Sequence, residues 1–137
     1  MSRIINLESA GKERNRLTKT IVLAIHELGL QSGPGLESKD LAAFIALALE
    51  TIAETIDASV AAWEKRGYWI KADKFRMDWV WAEQLAQKMR VAVLADDWSG
   101  VTLIATQVAG KLNKITVPNG HCLGRPWEGA WNELKKK

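Results

Sequence analysis

Glu50, Glu54 and Asp57 are the residues whose type and spacing come closest to a chemical site, standing four and then three residues apart. On a helix that spacing places three carboxylates on one face, where they can bind a hard cation or contribute to a di-iron centre. Di-iron bundles pair Glu-x-x-His motifs from two helices, and no Glu-x-x-His occurs in this chain. The three carboxylates also lie on the side opposite Leu41, Ile45 and Ile52, so a solvated stripe is expected. His121 and Cys122 are adjacent soft ligands, but the chain holds only two histidines and one cysteine, short of the four that a structural zinc site takes. Neither metal nor cofactor is therefore expected.

Nucleophilic catalysis finds no better footing. Side chains of neighbouring residues such as His121 and Cys122 do not readily reach base–nucleophile geometry. There is no Gly-x-Ser-x-Gly elbow, and "SAGKERNR" has a Gly-Lys pair without the upstream glycine of a phosphate loop. The expected reading is a non-enzymatic protein.

Two further groups suit binding rather than catalysis. Lys12, Arg14, Arg16 and Lys19 are interleaved with Asn15 and Thr18 near the start, and three lysines, 135 to 137, close the chain. Both could contact phosphates, which would make binding salt-dependent. Seven tryptophans, at 63, 69, 79, 81, 98, 127 and 131, are many for this length. Each indole favours burial with an outlet for its N–H, so core edges and interfaces suit it better than deep interiors.

These side chains must be positioned by helices. Leu17, Ile21, Ala24, Ile25 and Leu28 follow one helical face, and Gly29 opens a breaker-rich stretch, "GLQSGPGLE". Ser38 is expected to cap a second helix with Asp40 in its first turn. Its main face is Leu41, Ile45, Ala48, Ile52, Ile56 and Trp63, while Phe44 and Leu47 lie off that stripe. A helix apolar on two sides either sits centrally in a bundle or has an oligomer partner. Gly67 ends it. A third helix runs from about residue 70 to 95, with Phe75, Trp79, Ala82, Ala86, Met89 and Val93 inward and Trp81 and Leu85 beside them. Asp96 or Asp97 caps a fourth, whose face is Val101, Ile104, Ala105, Val108, Leu112 and Ile115.

Pro118-Asn119-Gly120 then breaks the pattern. Pro126 suits the first position of a closing helix, in which Trp127, Trp131 and Leu134 share a face and Gly129 weakens the element by about 1 kcal/mol. So short a helix needs something to pack on: this chain's own bundle or another subunit. The expected architecture is all-α, an up-down antiparallel bundle of about four helices over residues 1–115. Residues 116–137 would form a Pro/Gly-interrupted docking segment with a short Trp-rich helix and a basic tail.

A chain of 137 residues with a quarter of them charged is expected to fold as a domain with an ordinary core. Its longest apolar run, residues 41 to 49, is half a membrane span, and a lone cysteine suits a reducing cytoplasm. The net charge of +3 is modest, with basic ends and an acidic second segment. The function expected from these features is a non-catalytic adaptor or oligomerisation module, with a protein partner or a second copy engaged through Phe44, Leu47, Trp81, Trp127, Trp131 and Leu134. The alternative is a nucleic-acid-associated bundle using Lys12, Arg14, Arg16 and Lys19. A weaker third possibility is an aromatic-lined pocket for an apolar ligand between helices two and three.

Overall fold

A computed structural model describes residues 7–31, 33, 35–117 and 124–136. Among them are five helices and no strand: α1 Leu7–Gly29, α2 Leu36–Lys65, α3 Trp69–Leu94, α4 Trp98–Lys111 and α5 Ala130–Lys136. The all-α bundle expected from the periodicity is what forms, with α5 as its closing element. No helix among the described residues is long and apolar enough to cross a membrane. Pro118-Asn119-Gly120, His121, Cys122 and Lys137 lie outside the described residues.

The centre of the molecule is α2, which contacts α1, α3 and α5. Leu41, Ile45, Ala48, Ile52 and Ile56 are buried on its main face, and Ala42, Ala43, Ala46 and Leu49 are buried on others. Small alanines on several sides let three neighbouring helices approach closely while Leu and Ile fill the gaps between them. The two-sided apolar pattern of α2 thus reflects a central place in its own bundle. Two ion pairs set the direction of the largest contact. Arg76 reaches Glu64 at 3.0 Å and Arg90 reaches Glu50 at 3.4 Å. Moving back along α2 from 64 to 50 therefore moves forward along α3 from 76 to 90, so the two helices run antiparallel.

The turns between helices follow local chemistry. After α2, Gly67 takes φ +82° while its N–H donates to Glu64 O and that of Tyr68 to Trp63 O. This paired closure leaves few carbonyls open and asks for a residue without a Cβ. After α3 the same pattern recurs with Asp96 at φ 58°, its N–H donating to Val93 O and that of Asp97 to Ala92 O. Asp96 offsets its strained backbone by accepting from Trp98 Nε1 at 2.7 Å. Asp97 caps α4, accepting from Gly100 N at 3.1 Å. A side chain at Gly100 would collide with this cap, since a Cβ there would stand 2.6 Å from Asp97 Oδ2.

One capping expectation is corrected. Ser38 lies inside α2, buried, and its hydroxyl donates to Gly33 O at 2.9 Å; the helix begins two residues earlier, with Gly35 at the N-cap and no side-chain cap. Once tertiary packing places the residue in the interior, a hydroxyl's pull toward a helix start is outweighed by a partly buried bond to the preceding loop.

Candidate interaction surface

The closing segment folds back on its own bundle. Trp127 (3% exposed), Ala130 and Leu134 belong to the same buried cluster as the α2 core. Trp127 and Leu134 therefore present no surface to a partner in this fold. Trp131 keeps part of its ring open, with Lys39 Nζ 5.5 Å and Lys135 Nζ 5.1 Å from its centroid. Two polar latches hold the segment. Arg125 pairs with Glu37 at the start of α2, and Asp40 accepts from the backbone N–H of Gly129 at 3.3 Å and of Trp131 at 2.9 Å. Asp40 is not in the first turn of α2, where it was expected, because the helix begins at Leu36; it caps α5 across the interface. Pro126 and Gly129 lie in the turn before α5, and Gly129 has φ +81°. Glycine is what that left-handed turn requires, so it does not weaken the helix as expected. Asp40→Ala is expected to cost about 1–3 kcal/mol by leaving both N–H groups without their acceptor, read from urea unfolding.

The basic group of α1 does not act as a set. Arg14 is turned inward: its Nη1 donates to Thr55 Oγ1 at 3.1 Å, and its guanidinium lies 5.0 Å from the Phe75 ring centroid and 6.0 Å from that of Trp79. Burial lowers its pKa from the ordinary arginine value. Arg16 pairs with Glu13 at 3.2 Å. Lys12 and Lys19 remain exposed on the surface of α1. Arg14 thus joins three helices and is withdrawn from the phosphate-binding role expected of it.

Trp81 is half-buried and stacked on Trp79, with ring centroids 5.6 Å apart, and its indole donates to Asp78 O. Phe44 and Leu47 are half-buried beside the closing segment, lining a groove with Glu13, Leu17, Pro126 and Ala130. Glu50, Glu54 and Asp57 border a polar groove of roughly 320 Å³ between α2 and α3. Glu54 and Asp57 are exposed, whereas Glu50 is half-buried against Arg90. No group of three or more metal-ligating side chains forms among the described residues.

The most exposed apolar surface was not among the expected residues. Ile70 (88% exposed), Met77 (70%), Val80, Val91 and Leu94 project from α3, with Tyr68 and Trp69 at its start and Leu103 on the adjacent α4. Along α3 the buried residues are Ala72, Ala82, Leu85, Ala86, Met89, Ala92 and Val93. At 100° per residue, the positions 70, 77, 80, 91 and 94 fall on the side away from them. Beyond Val91 the surface dips into a hollow of roughly 450 Å³ between α3 and α4, walled by Val91, Ala92, Ala95, Leu103 and Ile104, with Asp97 in its lining. Among the described residues this apolar hollow lies between α3 and α4, without a tryptophan in its wall, whereas the groove between α2 and α3 is polar. No protein family, curated protein or solved structure matches this chain.

A sequence signal for this surface existed. The spacings 7, 3, 11 and 3 from Ile70 through Leu94 keep a heptad rhythm, but Asp73, Gln84 and Gln87 interrupt it and the stronger inward stripe of the same helix masks it.

Proposed function

We propose that this chain is a non-catalytic helical adaptor or oligomerisation module, acting through the outer apolar face of α3 and α4 with Trp81 at its margin. The observation that carries the reading is the second apolar stripe of α3, opposite its core face and open to solvent. Monomeric proteins rarely leave contiguous apolar patches larger than a few hundred Å² uncovered, because water exacts a free-energy cost in proportion to that area. Capture of the tagged chain from its native cells after nuclease treatment tests the reading. Partners held by the wild type should be lost from Met77→Lys/Val91→Lys, two exposed positions whose change leaves the core untouched. Equal capture by both forms would overturn it.

A second reading rests on Lys12 and Lys19, exposed and two helical turns apart on α1. With two phosphate contacts, the affinity for a duplex oligonucleotide would fall with log–log salt slope of about −2. Fluorescence anisotropy across a salt series measures that slope, and Lys12→Ala/Lys19→Ala should abolish it. Binding that survives the double change unaltered would reject this surface.

A further inference from the structure

We infer that the turn between α2 and α3 is a membrane-docking tip, which seats Tyr68, Trp69 and Ile70 in the interface of a bilayer rich in anionic lipid. This goes beyond the adaptor reading, because it concerns one end of α3 and not the length of its outer face.

The first observation is what the turn exposes. Residues 65 to 71, Lys-Arg-Gly-Tyr-Trp-Ile-Lys, all stand in solvent. Tyr68 is 54% open, Trp69 60% and Ile70 88%, three large side chains in succession. The backbone fixes them there. Gly67 closes α2 at φ +82°, the N–H of Tyr68 donates to Trp63 O and that of Ala72 to Tyr68 O, so α3 starts at once. Side chains of a helix lean toward its N-terminus. Trp69 and Ile70, in the first turn of α3, therefore lean outward past the end of the helix pair. Below the turn, Trp63 on α2 meets Phe75 on α3 edge-on, with ring centroids 4.8 Å apart.

The second observation is charge. Lys65, Arg66, Lys71 and Lys74 flank the three apolar side chains, and all four are exposed. The only carboxylates between residues 64 and 74 are Glu64 and Asp73. Arg76 bonds both, at 3.0 and 2.7 Å, so the collar keeps its positive charge. Anionic headgroups attract such clusters, and the amphipathic rings of tryptophan and tyrosine sit at headgroup level. Ile70 then reaches the boundary of the acyl chains. Docking of this kind needs no spanning helix, and none is long and apolar enough among the described residues.

Nucleic acid is the competing match for aromatic rings among cations. A single strand is tracked by a basic groove in which rings stack on successive bases. Here the residues crown a turn between two antiparallel helices, and the most exposed of them is an isoleucine, which offers no ring to a base. A bilayer interface takes all three side chains and the collar together.

Co-sedimentation of the purified full chain with phosphatidylcholine vesicles containing about 30% phosphatidylserine tests the tip. Wild type should bind them at least about tenfold more tightly than vesicles of phosphatidylcholine alone. Lys65→Ala/Arg66→Ala and, separately, Trp69→Ser/Ile70→Ser should each weaken binding at least about tenfold while circular dichroism stays unchanged. Brominated acyl chains should quench the tryptophan emission of the wild type, and Trp69→Phe should remove most of that quenching. Met77→Lys/Val91→Lys, outside the turn, should bind vesicles at least as well as the wild type, so the result is independent of partner capture. No binding to anionic vesicles, equal binding to neutral ones, or binding that either double variant of the tip leaves intact would overturn the inference. Full quenching retained in Trp69→Phe would overturn the insertion of the tip. A single-stranded oligonucleotide bound in place of vesicles, and lost in the same variants, would assign the tip to nucleic acid instead.

Discussion

Trp127→Ala is expected to lower the stability of the chain by about 3–5 kcal/mol, the range for removing a large aromatic side chain from a packed site. In a chain of this size that corresponds to a fall of roughly 10–15 °C in melting temperature. Trp127 is almost wholly enclosed and shares a core with Ala130, Leu134 and the α2 face, so its loss empties the contact that holds α5. A seven-residue helix has little stability of its own, and α5 should leave the bundle with it. Amide exchange would then accelerate at residues 130–136 well before the rest of the molecule. Trp127→Phe separates packing from hydrogen bonding. The indole Nε1 is buried without an acceptor among the described residues, so removing it abandons no bond and the phenylalanine variant should lose far less. Equal losses in the two variants, or an unchanged melting curve in the alanine variant, would show that α5 is not held in this way.

Arg14→Ala is expected to cost about 2–3 kcal/mol, from a charged hydrogen bond and the aromatic contacts of its guanidinium. Its Nη1 is bonded to Thr55 on α2 while its plane stands over Phe75 and Trp79 on α3, so one side chain of α1 ties the other two helices together. The neighbouring cations Lys12 and Lys19 are exposed, and alanine there should change stability by less than about 0.5 kcal/mol. Arg14→Met should recover part of the loss, because the stem of the side chain packs even where the charge does not bond. Urea unfolding of the four variants reads the difference. A loss at Arg14 no larger than at Lys12 would mean that its contacts contribute nothing to the bundle.

The helices were legible because their signals are local. Leu17, Ile21 and Ala24, or Val101, Ile104, Ala105 and Val108, repeat at 3.6-residue spacing whatever surrounds them. Gly67 announced the end of α2 for a similar reason, since a left-handed residue after a helix favours glycine. What Asp40 and Ser38 do was not legible. Both are good residues for a helix start, and α2 begins before either of them. One bonds the α1–α2 loop and the other caps a helix some ninety residues away.

The sequence by itself determined an all-helical chain, the presence of its four long helices though not every end of them, most of the inward stripe of each, and a closing element that had to dock somewhere. Tertiary structure alone decided that α2 is central, that α5 docks on it, that Arg14 turns inward while Lys12 and Lys19 do not, and that the free apolar face belongs to α3. The physical reason is that periodicity tells which side of a helix avoids water without telling what covers it. On a helix with two apolar sides, only the packing of its neighbours leaves one of them open.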